Sequence, residues 1–131
     1  MNFDPRPYIA YYTSKNEEEE RAIRARAADA LHEARRLARE IRAADPTVRA
    51  VILFGSLAEE GPRRLDFDID LALQGGDVFK AMDVTEGSPF DVDVVDFERL
   101  PEHIRTRISA KGIILSGSAP NTPQSVSPRG E

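Results

Sequence analysis

The sequence predicts one α/β or α+β domain that begins with a long helix. An amphipathic stretch covers residues 16–44, and segments with the apolar or alternating patterns of strands follow it at 48–54, 65–73, 90–97 and 113–115. Short helical segments separate the later strands. A chain of 131 residues has the length of a single domain, and its 40% hydrophobic content is enough for a core.

The leading helix is predicted from its apolar periodicity. Apolar residues recur three or four positions apart, as Ile23, Ala27, Ala30, Leu31, Ala34, Leu37, Ala38 and Ile41. Ser14 and Glu17 have capping-box spacing, which places the helix start near residue 16, and Asp45-Pro46 ends the helix. Residues 1–15 are then expected to form an N-terminal arm, residues 16–115 the domain, and residues 116–131, rich in Ser, Pro and Gly, a disordered tail.

Composition limits the classes of function. With no cysteine, the chain has no disulfide, no thiolate zinc site and no cysteine nucleophile. Apolar runs such as 51–54 are far too short to cross a membrane, and the N-terminus lacks a signal pattern, so a cytoplasmic location is expected. The formal charge of −5 argues against nonspecific electrostatic binding of nucleic acid.

Closely spaced aspartates mark two of the predicted strands. They lie in residues 65–73 and 90–97, as Asp66, Asp68, Asp70, Asp91 and Asp93. Side chains two positions apart on a strand share one face at about 6–7 Å, so these carboxylates repel one another unless a cation or protons compensate. Oxygen ligands without cysteine or a nearby histidine favour Mg²⁺, Mn²⁺ or Ca²⁺ over zinc. The alternative is a solvated acidic face without a ligand.

The D-x-D-x-D spacing does not fit a calcium-binding EF-hand loop. Leu71 follows the third aspartate where that loop requires glycine, and Asp77 stands where it requires glutamate.

A second motif that could act together with the aspartates is Gly55-Ser56, which directly follows the buried strand 48–54. Residues 57–60 can start a helix there, and a glycine turn at a helix N-terminus is suited to phosphate.

Together these segments resemble the minimal nucleotidyltransferases (MNT) of the DNA polymerase β-like superfamily. The matching residues are F-G-S-L-A-E-E-G at 54–61, L-D-F-D-I-D-L at 65–71 and V-D-V-V-D at 92–96, and the resemblance spans about 48–115. It implies the polymerase β-like nucleotidyltransferase fold, in which helices flank a small mixed sheet. It also implies transfer of a nucleoside monophosphate, AMP from ATP, to a hydroxyl acceptor.

The resemblance assigns roles to individual residues. Gly55 and Ser56 would bind the nucleotide phosphates, and Asp68 and Asp70 would be paired metal ligands. Asp93 would be the third carboxylate, ligating a metal and helping to deprotonate the acceptor. Two Mg²⁺ ions, with Mn²⁺ as an alternative, are the implied cofactors.

The resemblance also implies a partner. Small stand-alone members are similar to the antitoxins of HEPN–MNT toxin–antitoxin pairs, which can transfer AMP to a tyrosine of the toxin. The expected partner is therefore a small helical HEPN toxin, and self-association stays open. The alternative function is a catalytically weak binding module that neutralises a partner by contact.

Three departures from the family pattern bear on the site. The spacer between Ser56 and Asp68 is one residue longer than usual, so Asp66 with Asp68 also fits the D-x-D pattern, although we prefer Asp68 with Asp70. Phe67 stands where serine is usual. Leu57 and Glu59 stand where many members carry arginine, and we expect Arg63 and Arg64 to bind phosphate in its place.

Overall fold

The computed structural model describes residues 4–118, in which four strands form one mixed sheet. The elements in chain order are α1 (Arg6–Ala44), β1 (Ala50–Phe54), β2 (Ile69–Gln74), α2 (Val78–Thr85), β3 (Val92–Asp96), α3 (Glu102–Lys111) and β4 (Ile113–Gly117). A short 3-10 helix, Phe97–Arg99, follows β3. Among residues 4–118, no helix combines the length and apolar character that a membrane crossing requires.

The order of strands in the sheet is β3-β2-β1-β4. β1 is antiparallel to both β2 and β4, whereas β2 and β3 are parallel and are connected through α2. Phe54, the last residue of β1, pairs with Asp70, which in turn pairs with Asp93 of β3. The C-terminal end of β1 and the N-terminal ends of β2 and β3 therefore meet at one end of the sheet.

The two faces of the sheet bury different helices. Successive residues of a strand point to opposite faces, so Val51 and Leu53 of β1 pack in the cluster that contains the apolar stripe of α1. Ala50 and Ile52 pack on the other face, in the cluster that contains Ile108 of α3. The apolar stripe predicted for the leading helix is therefore what holds α1 on the sheet.

The start of α1 corrects the prediction of an N-terminal arm. The helix begins at Arg6 rather than at residue 16, with Pro5 at its N-cap. Pro7 is compatible with this because the first turn of a helix needs no N–H at that position. Ser14 lies inside the helix, so the predicted capping box is wrong, while the predicted end is confirmed by Asp45, whose N–H bonds to the Ile41 carbonyl.

Two strand boundaries also differ from the prediction. Residues 65–68 are not part of β2, because β1 ends opposite Asp70 and β3 begins opposite Ile69, which leaves them without a strand to pair with. β4 extends to Gly117, opposite Ala50 of β1, so the predicted tail does not begin at residue 116. The rest of the predicted disordered tail, 119–131, lies outside the described residues.

Candidate active site

Three aspartates converge at the end of the sheet where β1 ends and β2 and β3 begin. One carboxylate oxygen from each of Asp68, Asp70 and Asp93 lies within 4.8 Å of the other two. Asp70 and Asp93 are register partners on neighbouring parallel strands, and Asp68 lies in the segment that enters β2. We call these three residues the aspartate triad.

The triad is electrostatically unfavourable without a counter-charge. Asp70 is half-buried, and its burial, followed by the negative charges of Asp93 and Asp68, raises the pKa of its carboxyl to about 6. A bound cation would remove this repulsion. Three carboxylate oxygens without nitrogen or sulfur form a donor set that fits Mg²⁺ or Mn²⁺.

Gly55 makes the close approach of β1 to the triad feasible. Its φ of 81° is in the left-handed region, and a Cβ at this position would overlap an Asp70 carboxylate oxygen. The sequence predicted glycine here for the approach of a phosphate. The structure adds a second reason, which is room for the Asp70 side chain.

The segment after Gly55 is a turn and not the predicted helix start. The N–H groups of Ala58 and Glu59 donate to the Gly55 carbonyl, and the Gly61 N–H donates to the Ser56 carbonyl. Gly61, with a φ of 88°, is followed by Pro62, which ends the turn because proline has no N–H to continue it. Any phosphate contact at Ser56 would therefore come from a compact turn.

A cleft of about 760 Å³ opens beside this turn. The residues predicted to bind the nucleotide and metal line it, namely Gly55, Ser56, Arg63, Arg64, Asp68 and Asp70. Asp93 instead lines a second cleft of about 830 Å³, and Asp70 lines both. The triad thus stands between two open clefts, which we call the turn cleft (beside Gly55 and Ser56) and the β3 cleft (beside Asp93).

Three arginines of the described chain line the turn cleft, and each is paired with a carboxylate of the same cleft. The N–O distances are 3.6 Å for Arg63–Glu60, 3.0 Å for Arg64–Asp66 and 2.7 Å for Arg107–Glu59. Arg64 holds the pKa of Asp66 below its usual value. Asp66 therefore pairs with Arg64 outside the triad, which favours Asp68 with Asp70 as the D-x-D pair.

Arg107 is a cleft residue that the sequence did not single out. It belongs to α3, 48 positions after Glu59, and its guanidinium donates to both Glu59 carboxylate oxygens at 3.0 and 2.7 Å. Only the packing of α3 on the sheet brings it to the turn, so no local spacing could have predicted it. Its hydrogen bonds lower the pKa of Glu59.

Phe67, which departs from the family pattern, is accommodated beside α1. Its ring lies 6.4 Å from that of Phe90, and the Arg26 guanidinium lies over both rings, 6.0 Å from Phe67 and 4.5 Å from Phe90. Arg26 also donates to the Leu65 carbonyl at 3.2 Å. These contacts, which we call the Arg26 cluster, attach the Asp68 segment to the leading helix.

Comparison with known proteins gives matches in structure alone. No family model and no curated protein matches the sequence. A toxin–antitoxin complex crystallised with AMP-PNP contains a chain that matches with a TM-score of 0.50 and 22% identity, over 69% of this chain and 73% of that chain. The matching chains in such complexes are MNT antitoxins. This chain has the MNT nucleotidyltransferase fold.

Two further complexes are similar. A mutant MntA–HepT toxin–antitoxin complex matches with a TM-score of 0.50 and 22% identity, over 60% of this chain and 68% of that chain. The tri-AMPylated HEPN toxin of Shewanella oneidensis, in complex with its MNT antitoxin, matches with a TM-score of 0.47 and 20% identity, over 70% and 73%. The two matches with a TM-score of 0.50 support the fold class expected from the sequence, a small mixed sheet flanked by helices with a long N-terminal helix.

Proposed function

We propose that this chain is a Mg²⁺-dependent nucleotidyltransferase that transfers AMP from ATP to a hydroxyl, a tyrosine of a HEPN toxin partner, and so acts as an antitoxin. The observation that carries the proposal is the aspartate triad at the boundary of two clefts. One cleft contains the glycine turn and the arginines, and the other lies beside Asp93. This arrangement provides separate places for a nucleotide and an acceptor.

The similar structures support the choice of nucleotide and partner. One was crystallised with AMP-PNP, an analogue of ATP, and both that complex and the MntA–HepT complex pair a chain of this fold with a toxin. The motif resemblance around Gly55, Asp68 and Asp93 points to the same chemistry. We therefore propose ATP as the donor of AMP and a tyrosine of the toxin as the acceptor.

The residues divide the reaction between them. Gly55 and Ser56, which line the turn cleft, bind the phosphates. Bound Mg²⁺, held by Asp68, Asp70 and Asp93, would supply charge neutralisation at the attacking and leaving oxygens. Asp93, beside the β3 cleft, accepts the proton of the acceptor hydroxyl. The hydroxyl oxygen forms a bond to the α-phosphorus as the bond between that phosphorus and the pyrophosphate leaving group breaks.

A labelling experiment tests this function. The chain is incubated with ATP labelled at the α-phosphate, Mg²⁺ and a candidate HEPN toxin partner, and label on the toxin is measured. We expect label transfer by the wild type and its loss in Asp93→Asn, whereas Asp96→Asn, which alters an aspartate of the same strand outside the triad, retains it. Equal transfer by the Asp93→Asn variant would contradict the assignment.

The second candidate function is neutralisation by contact without catalysis. The observation that favours it is the pairing of all three arginines in the described turn cleft with carboxylates, which leaves the cleft with little free positive charge. Under this alternative, Asp68→Asn and Asp93→Asn variants still neutralise the toxin in cells. Under the catalytic proposal, the same variants bind the toxin but do not neutralise it.

A further inference from the structure

We propose that Arg107 binds the outer phosphates of the nucleotide and that Glu59 occupies its guanidinium until the nucleotide arrives. This inference rests on the proposed function, because it assumes that a triphosphate enters the turn cleft. It adds a phosphate-binding residue from α3, and it adds competition between Glu59 and the nucleotide for that residue. The resemblance to the MNT family assigned a phosphate-binding role to neither residue.

The geometry of the pair is the first argument. The Arg107 guanidinium meets the Glu59 carboxylate through two hydrogen bonds, of 3.0 and 2.7 Å. This two-point contact is also the geometry with which arginine binds a phosphate. Glu59 therefore holds the Arg107 guanidinium in an orientation that also suits a phosphate.

The position of the pair is the second argument. The Glu59 N–H donates to the carbonyl of Gly55, so the carboxylate belongs to the same turn that is proposed to bind phosphate. Both Glu59 and Arg107 line the turn cleft with Gly55 and Ser56. A triphosphate bound at this turn would lie in the same cleft as the guanidinium.

Comparison with the other cleft arginines favours Arg107. Arg63 and Arg64 have side chains that are 88% and 77% exposed, and their partners Glu60 and Asp66 are nearly as exposed, so water screens both pairs strongly. The Glu59 side chain is only 20% exposed. Arg64 makes a similar two-point contact with Asp66. The Arg107–Glu59 pair, in which Arg107 is 65% exposed, is nevertheless the least solvent-exposed of the three, although the sequence favoured Arg63 and Arg64.

The charges explain why exchange can occur. Lys111, one turn further along α3, adds positive potential at Glu59, and the paired carboxylate is less basic than a free one. A nucleoside triphosphate carries more negative charge than a single carboxylate, so it can displace Glu59 from Arg107. The nucleotide concentration needed to bind Arg107 is higher when Glu59 is present than when its carboxylate is removed. Removing the carboxylate should strengthen nucleotide binding, and removing the guanidinium should weaken it.

The test measures the Kd of AMP-PNP with Mg²⁺ by calorimetry on the full chain and three variants. We expect Arg107→Gln to raise the Kd at least about tenfold, the scale expected when charge-assisted hydrogen bonds to the phosphate are lost. Glu59→Gln should lower the Kd several-fold. Arg99→Gln, which removes the same charge from an exposed residue outside the turn cleft, should leave it unchanged.

The opposite directions of the two effects distinguish binding from a structural role. Glu59→Gln and Arg107→Gln both break the same ion pair, so destabilisation of the turn alone would move both Kd values upward. A Kd for Arg107→Gln equal to that of the wild type, or a raised Kd for Glu59→Gln, would overturn the inference while leaving the proposed function intact. Absence of Mg²⁺-dependent AMP-PNP binding by the wild type would overturn both.

Discussion

Asp70 and Asp93 stand side by side as register partners of the parallel strands β2 and β3, with Asp68 completing a group within 4.8 Å. No hydrogen bond or ion pair to a cation of the described chain offsets these charges, so the fold keeps an unfavourable arrangement. Such arrangements persist where a site performs chemistry, since stability alone would remove them.

Asp70→Asn should stabilise the metal-free protein. The raised pKa of Asp70, about 6, means that the folded state holds this proton more tightly than the unfolded chain. The stabilisation from this bound proton is therefore fully present below about pH 4, and it is lost as the pH rises through about 6. We expect the variant to gain about 1 kcal/mol in free energy of unfolding at pH 7, a value reduced for solvent screening of a half-buried carboxylate.

Urea unfolding of both proteins in chelator, from pH 4 to pH 7, measures this difference. It should be small at pH 4 and grow with pH. A variant that is less stable than the wild type at pH 7 would show that the triad does not repel as described.

Gly55→Ala should weaken metal binding, with Gly61→Ala as the matched control. Both glycines have φ above 80°, so alanine costs about 1 kcal/mol of stability at either position. Only at Gly55 would the added Cβ overlap the Asp70 carboxylate, whereas at Gly61 it meets nothing within 4 Å. The affinity for Mn²⁺, measured by calorimetry, should fall roughly tenfold for Gly55→Ala alone. Equal affinities in the two variants would contradict the placement of Asp70.

Arg26→Ala should loosen the segment that carries Asp68. The substitution removes the guanidinium that lies over Phe67 and Phe90 and its bond to the Leu65 carbonyl. We expect a loss of about 1 kcal/mol in stability and a lower Mn²⁺ affinity. Arg39→Ala, an exposed arginine of the same helix, should change neither. Unchanged affinity in Arg26→Ala would mean that the Arg26 cluster does not position the triad.

Asp45→Asn should lower stability in a pH-dependent way. The buried Asp45 carboxylate accepts hydrogen bonds from the Thr47 hydroxyl, the Thr47 N–H and the Asp77 N–H, which lower its pKa. A lowered pKa stabilises the fold above the unfolded value of 3.8, and the gain is lost as the pH falls through the folded value. The melting temperature of the variant should lie below that of the wild type at pH 7 and approach it near pH 3. A constant difference would contradict the pKa argument.

The sequence predicted the parts of the fold that depend on local patterns. The apolar stripe of α1, its end at Asp45-Pro46 and the succession of strands and helices along the chain follow from periodicity and turn residues, and the structure confirms them. The order of the strands within the sheet was not predicted. The start of α1 was missed because Pro5 and Pro7 suggest an interruption, although prolines fit a first turn. The extent of β2 was overestimated because alternation at 65–68 continues beyond the last residue that has a strand to pair with.

The site shows the same division. Asp68, Asp70 and Asp93 could be selected because their spacing is local and the family pattern links the two strands. Arg107 could not, since its role depends on how α3 packs against the sheet. Phe67 looked unfavourable in the sequence, and only the contacts with Arg26 and Phe90 show where a large ring fits.

The central claim is that the triad and the glycine turn form a joint metal and nucleotide site. Thermal melting with ATP alone, Mg²⁺ alone and both together, on wild type and Asp68→Asn/Asp70→Asn, tests it most directly, because a ligand that binds the native state raises its melting temperature. We predict a rise for the wild type that requires both ligands and is absent from the variant. No rise at millimolar MgATP, or an equal rise in the variant, would contradict the claim.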